Sequence, residues 1–229
     1  MPIIRVAGSS DTPQIAAIYG PIVSTTAISF EEQAPDPEEI ARRIEATLRS
    51  HPWLVADEKG SVLGYAYATE HRARPAYRWS ADVTIYVTPG AHRKGVGRKL
   101  YGVLFDILQR QAICNVFAGI ALPNPASVGF HQACGFVLVG IYRAVGLKIG
   151  RWHDVGWWQK TIGTFDQAPP DFTPFSSLGD PFDLRPHTCE VDRWPLAARK
   201  RLDTQRCGIR SRATATQSED ISPRREKTN

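Results

Sequence analysis

The chain has 229 residues, 42% hydrophobic and 22% charged, with 28 basic against 23 acidic side chains and a formal net charge of +5. That length suits one full domain with an appendage or two small domains, and the composition excludes both a disordered chain and a membrane-spanning bundle. No apolar run approaches the roughly 18 residues a spanning helix needs, and Met1-Pro2-Ile3-Ile4-Arg5 reaches Gly8-Ser9-Ser10-Asp11 without a signal-peptide core, so a cytoplasmic protein is expected.

The chain then alternates strand and helix patterns. Ile3 to Val6 reads as a short strand, and Asp11-Thr12-Pro13 opens a helix carrying Ile15, Ile18 and Tyr19. Asp36-Pro37-Glu38-Glu39 combines an N-cap, a first-turn proline and a glutamate three residues on. It starts a helix with Ile40, Ile44 and Leu48 on one face. Trp53 to Asp57 and Val62 to Thr69 form a hairpin turned at Glu58-Lys59-Gly60. From Asp82 to Val87 the pattern alternates strictly, with Val83, Ile85 and Val87 on one face and Asp82, Thr84 and Tyr86 on the other. A helix follows from Gly95 to Gln111, with Val96, Leu100, Val103, Leu104, Ile107 and Leu108 as its apolar stripe. Val116 to Leu122 is a strand, Pro125 to Cys134 a helix, and Phe136 to Tyr142 and His153 to Lys160 are closing strands.

Composition changes after Gly163. Residues 164–229 hold 7 of the 17 prolines and no sustained period. They bury too little apolar surface to offset chain entropy, so a disordered tail is expected, with Phe172, Phe175, Phe182 and Trp194 as the one cluster able to dock on the core. The domain is therefore assigned to residues 1–163. Cysteines at 114, 134, 189 and 207 form no C-x-x-C pair, so free thiols and no metal site are expected.

The most informative junction runs from strand 82–87 through Thr88-Pro89-Gly90-Ala91-His92-Arg93-Lys94-Gly95-Val96-Gly97-Arg98 into a helix. Two glycines at a helix start let backbone N–H groups approach phosphates, and the helix end adds its dipole and unpaired donors. Arg93, Lys94, Arg98 and Lys99 add positive charge, so the chemistry is that of a pyrophosphate site; taken alone, the glycine pair equally suits a plain helix start with a solvated basic turn. A Walker loop is absent, and no third glycine stands in register for a dinucleotide fingerprint. The basic residues gather at one loop rather than along an aromatic-bearing face, which argues against nucleic acid.

With this loop the sequence resembles the GNAT superfamily of acetyl-CoA-dependent acetyltransferases, whose [Gln/Arg]-x-x-Gly-x-[Gly/Ala] motif appears as His92-Arg93-Lys94-Gly95-Val96-Gly97, departing at His92. The family's Asn-to-Tyr spacing and following Gly-Phe appear as Asn124, His131 and Gly135-Phe136. A closer resemblance is to phosphinothricin N-acetyltransferases and their methionine sulfoximine/sulfone relatives. It lies in Gly64-Tyr65-Ala66-Tyr67-Ala68, Arg74-Pro75-Ala76-Tyr77, Ile85-Tyr86-Val87 and Arg151-Trp152-His153-Asp154-Val155-Gly156-Trp157-Trp158-Gln159.

The resemblance implies an α/β (α+β) GNAT fold with a mixed, mostly antiparallel sheet. It implies acetyl-CoA as co-substrate, without metal, and a small anionic amino acid as acceptor. Cofactor contacts would come from Arg93 to Arg98, from Ile85, Tyr86 and Val87 on a splayed strand, and from Asn124. The Val87 N–H is the candidate oxyanion donor. Asp82 stands where the relatives carry a Glu base, and shares its face with Tyr86; the competing reading pairs it with Arg74 or Arg78. His131 matches the relatives' active-site histidine, as base or acid. Arg72, Arg74, Tyr77 and Tyr86 would grip the substrate, since guanidinium suits bidentate oxyanions. His153 and Asp154 would orient the last strand. An acetyltransferase of a peptide or protein amine, and an acyl-CoA-binding module without turnover, remain as alternatives. A homodimer is left open, and no membrane partner is expected.

Overall fold

The alternating and apolar runs of the sequence form seven strands that pair in one sheet in the order β1-β2-β3-β4-β5-β7-β6, buried through its middle and largely exposed along the edge strand β6. The computed structural model describes residues 1–165 and 168–182. The strands are β1 (Ile3–Val6), β2 (Trp53–Glu58), β3 (Ser61–Glu70), β4 (Ser80–Val87), β5 (Asn115–Leu122), β6 (Val137–Lys148) and β7 (Arg151–Thr161). All pairings are antiparallel except β4 with β5. The mixed α/β sheet expected from the sequence is what forms.

Helices cover both faces. On one lie α1 (Thr12–Thr25) and α2 (Pro37–Leu48), whose Ile15, Tyr19, Ile40 and Ile44 pack on Trp53, Val55 and Tyr65. The Asp36 side chain accepts from the Glu39 N–H at 2.7 Å, so the cap read from the sequence is made. On the other face α3 (Val96–Arg110) buries Leu100, Tyr101, Leu104, Ile107 and Leu108 against Leu54, Ala66, Val83 and Val116. The short α4 (Pro125–Ala133) follows β5. Among the described residues no helix is long and apolar enough to cross a membrane.

Most element ends fall within two residues of the sequence reading, and two boundaries differ by more. The closing hairpin is longer, because pairing continues past Tyr142 through Gly146↔His153 and Leu147↔Trp152. An irregularity between Tyr142 and Gly146 breaks the alternation that marks a strand. His153 Nε2–H donates to the Lys148 carbonyl at 3.1 Å, and Asp154 accepts from Ala144 N–H and Arg143, so both residues do hold this hairpin.

The domain also does not stop at Gly163. Phe172, Phe175, Leu178 and Phe182 pack against the α3-side core. Polar contacts fasten the same stretch: Trp79 Nε1–H donates to Pro170 O at 2.8 Å, Gln111 Nε2–H to Thr173 O at 2.9 Å, and Phe175 N–H to Ser50 O at 3.0 Å. Four apolar side chains offset the ordering entropy that composition alone leaves unopposed. Trp194, Cys189 and Cys207 lie outside the described residues; Cys114 and Cys134 are free.

Candidate active site

Strands β4 and β5 pair only from Ser80↔Asn115 to Asp82↔Phe117, although both run several residues further. Beyond Asp82 they separate and leave a gap. Thr88 N–H donates to Leu63 O at 2.9 Å, which makes Gly64/Val87 a non-hydrogen-bonded pair. The N–H and C=O of Val87 therefore point away from β3, into the gap.

The loop after β4 turns on two left-handed residues, Arg93 (φ 58°) and Gly95 (φ 80°), the latter being the N-cap of α3. No side chain caps α3, so the N–H groups of its first turn remain available. A Cβ on Gly97 would stand 3.0 Å from the Phe130 ring, so a larger side chain there must displace that ring. A cavity of about 820 Å³ opens at this point, lined by Ile85, Val87, His92, Arg93, Gly95, Val96, Gly97, Arg98, Ser127, Phe130 and His131. Lys94 is outside the lining. His92 Nε2–H donates to the Val87 carbonyl at 2.9 Å and so closes the loop onto the strand end. A glycine-bearing helix start, unpaired N–H groups, two arginines and an apolar-walled cavity fit a pyrophosphate with a thioester arm.

A second, smaller cavity of about 100 Å³ lies in the gap itself, between Val83, Thr84, Ile85 and Tyr86 on one side and Ala118 to Ala121 on the other, with Ile28 and Asn124 at its ends. Ile85, Ser127 and His131 line both cavities. Tyr86 packs at a tilt against Tyr19 and Tyr65, at 5.1 and 5.5 Å between ring centres, and burial raises its hydroxyl pKa well above the usual tyrosine range. Asn124 is chiefly the N-cap of α4: its Oδ1 accepts from Ser127 N–H at 3.1 Å.

His131 is buried at 4% exposure. Its Nδ1 is 2.8 Å from the Ser127 carbonyl, which can only accept, so Nδ1 carries the hydrogen. Nε2 then accepts from the Tyr101 hydroxyl at 2.9 Å. Burial lowers the His131 pKa, favouring this neutral tautomer. Both ring nitrogens are thus engaged inside the protein.

Asp82 pairs with neither Arg74 nor Arg78. Its Oδ1 lies 2.6 Å from Nδ1 of His71, a residue the sequence reading passed over. Burial raises the Asp82 pKa, and the His71 hydrogen bond opposes that rise. The β3–β4 register, which the sequence does not state, makes this contact: it pairs Thr69 with Asp82 and so brings residue 71, two positions on, diagonal to 82. Arg78 instead lies over the Trp79 ring at 4.0 Å and bonds Asp171. Arg72 lies 5.7 Å above Trp157, Tyr77 meets His71 edge-on at 6.0 Å, and Arg74 caps the turn Pro75–Tyr77. Arg72, Arg74, Tyr77 and Asp82 line neither cavity; Arg72 and, through His71, Tyr77 and Asp82 stand by Trp157, whose ring covers Gly119 of the smaller one.

The sheet thus splits beyond one short parallel pairing, with an anion-binding helix start beside the split. The chain belongs to the GNAT acetyltransferase family: residues 4–157 match the Acetyltransferase (GNAT) domain. It is 41% identical over 173 residues to phosphinothricin N-acetyltransferase from Alcaligenes faecalis, covering 73% of this chain and 86% of that one. It is 34% identical over 169 residues to the L-methionine sulfoximine/L-methionine sulfone acetyltransferase of Salmonella typhimurium, covering 73% and 98%. The crystal structure of a GNAT superfamily phosphinothricin acetyltransferase from Sinorhizobium meliloti in complex with AcCoA superposes with a TM-score of 0.70 at 34% identity, covering 74% of this chain and 93% of that one. The protein is an N-acetyltransferase.

Proposed function

We propose that the enzyme transfers the acetyl group of acetyl-CoA to the α-amino group of a small anionic amino acid such as phosphinothricin or methionine sulfone or sulfoximine, by direct attack in a ternary complex. The observation that carries this reading is the meeting of a large anion-binding cavity with a small one at Ile85, Ser127 and His131. The N–H groups of Gly95 to Arg98, with Arg93 and Arg98, would hold the pyrophosphate. Acetyl-CoA supplies an activated thioester carbonyl. The Val87 N–H, directed into the gap, is placed to donate to the oxygen on which charge develops. His131, held between Tyr101 and Ser127, walls the junction of the two cavities and sets where the thioester sits.

An α-ammonium arrives protonated and must lose a proton before it attacks, and Asp82, on the acceptor side, belongs to the basic centre assigned to this. Arg72, Arg74 and Tyr77 are the groups assigned to the substrate's anionic oxygens. Release of free thiol from acetyl-CoA is measured with phosphinothricin, methionine sulfone and methionine. Turnover of the oxidised analogues in preference to methionine is expected, and Arg74→Ala should raise their Michaelis constant roughly 10- to 150-fold, the loss of one charge-assisted hydrogen bond. Binding of CoA without turnover of any amine would overturn the reading.

A further inference from the structure

We propose that His71 is the group that takes the proton from the acceptor amine, and that Asp82 acts through it. This rests on the acetyl-transfer reading above and names the base within it.

An ionised carboxylate can only accept, so the 2.6 Å contact between His71 Nδ1 and Asp82 Oδ1 puts the hydrogen on Nδ1. In the neutral ring the lone pair then sits on Nε2. That nitrogen bonds nothing among the described residues, and it is not among the buried polar atoms left without a partner, so it reaches solvent. The ring is fixed in plane: it stacks on Phe117 at 4.2 Å and 16°, and meets Trp157 edge-on at 6.2 Å. A carboxylate holding the far nitrogen of an oriented imidazole is the arrangement that selects one tautomer and stabilises the cation that forms.

The position suits the task. Phe117 lies two residues before Gly119 on β5 and Asp82 two before Thr84 on β4, and Gly119 and Thr84 line the acceptor cavity. His71 thus stands beside that cavity on the Thr84 and Tyr86 face, within reach of an amine directly or through one water. His131 is less suited, since both its nitrogens are engaged. The charged or titratable groups facing His71 are Asp82 from β4 and Arg72 and Tyr77 from its own loop; Phe117 and Trp157, from β5 and β7, carry no charge.

In the step, one ammonium proton moves to Nε2, giving an imidazolium paired with Asp82. The freed lone pair forms the C–N bond to the acetyl carbonyl carbon. Collapse breaks the C–S bond, and the electron pair leaves on sulfur. The nitrogen's extra proton neutralises that thiolate, and the imidazolium returns its proton to water.

The test compares wild type, His71→Gln and Asp82→Asn with methionine sulfone or phosphinothricin over a pH series from about 5 to about 9. Glutamine keeps a donor for Asp82 but cannot take a proton. His71→Gln is expected to lower kcat by about 10²–10⁴ and to remove the acidic limb of the profile, with CoA affinity unchanged. His71→Asn is read in the same way if the Gln variant does not fold. An active wild type whose His71→Gln variant keeps its rate within about tenfold and its acidic limb, while Asp82→Asn is inactive, would make the carboxylate the base and overturn the proposal. Wild-type protein that binds CoA but turns over neither amino acid overturns the acetyl-transfer reading itself, and the base with it.

Discussion

The Tyr101 hydroxyl, on α3, donates to Nε2 of His131, on α4, at 2.9 Å, and both side chains are buried. Burial holds the tyrosine protonated, so it is available as donor to the neutral imidazole. Tyr101→Phe keeps the ring and leaves a buried nitrogen without a partner. The expected cost is about 1–3 kcal/mol of stability, read by denaturant titration. An unchanged unfolding midpoint would mean that the hydroxyl does not support His131.

Gly97 and Phe130 come so close that the cradle and α4 depend on each other. A Cβ at 97 would meet ring carbons at 3.0 and 3.1 Å. Gly97→Trp would push into the cavity as well as against the ring, and CoA binding measured by calorimetry should be lost. A folded Gly97→Trp protein with wild-type CoA affinity would place the pyrophosphate elsewhere.

Truncation after Gly163 should destabilise the domain, because it removes Phe172, Phe175, Leu178 and Phe182 from the α3-side core. Each half-buried side chain contributes about 1 kcal/mol, opposed by the entropy of ordering the segment. A net loss of roughly 1 kcal/mol or more corresponds to a Tm lower by about 2–4 °C or more. A chain ending at Phe182 keeps all four contacts and serves as the control. Equal Tm for the two truncations would show that the segment adds nothing.

Beneath that segment lies His51, buried at 6% exposure and 5.3 Å from the Phe172 ring, with its pKa lowered by burial to about 4. The unfolded chain binds this proton near pH 6.5, so between that value and about 4 the unfolded state holds more protons than the folded one. Stability is therefore complete above the unfolded pKa and falls as pH drops through this window, by at most roughly 3 kcal/mol. His51→Gln should flatten that part of the Tm-against-pH curve. Parallel curves for the two proteins would remove His51 from the acid response.

Much of the site was legible in the residues because its signals are local. A helix start needs unpaired N–H groups and room, so Gly95-Val96-Gly97 with neighbouring arginines announces an anion site wherever the chain places it. Strict alternation from Asp82 to Val87 likewise assigns faces before any partner is known, and Asp36 caps its helix through atoms three residues apart.

What the sequence alone did not decide depends on pairs distant in the chain. Asp82 could have met Arg74, Arg78 or nothing; only the β3–β4 register brings His71 to its carboxylate, against a ring on β5. Asn124 and His131 were recognisable by spacing, and Asn124 caps α4 through Ser127 locally, yet the bond of His131 to Tyr101 arises from the packing of α4 on α3. The segment 168–182 is the plainest case. Its composition lacks any period, because its one regular element is a single 3-10 turn at Phe175–Ser177 and it buries its aromatics one at a time on a surface built by residues far earlier in the chain. Local pattern determines helices, strands and caps, since their hydrogen bonds close within a few residues. Burial of an irregular strap and the partner of a lone carboxylate depend on surfaces that exist only once the sheet has formed.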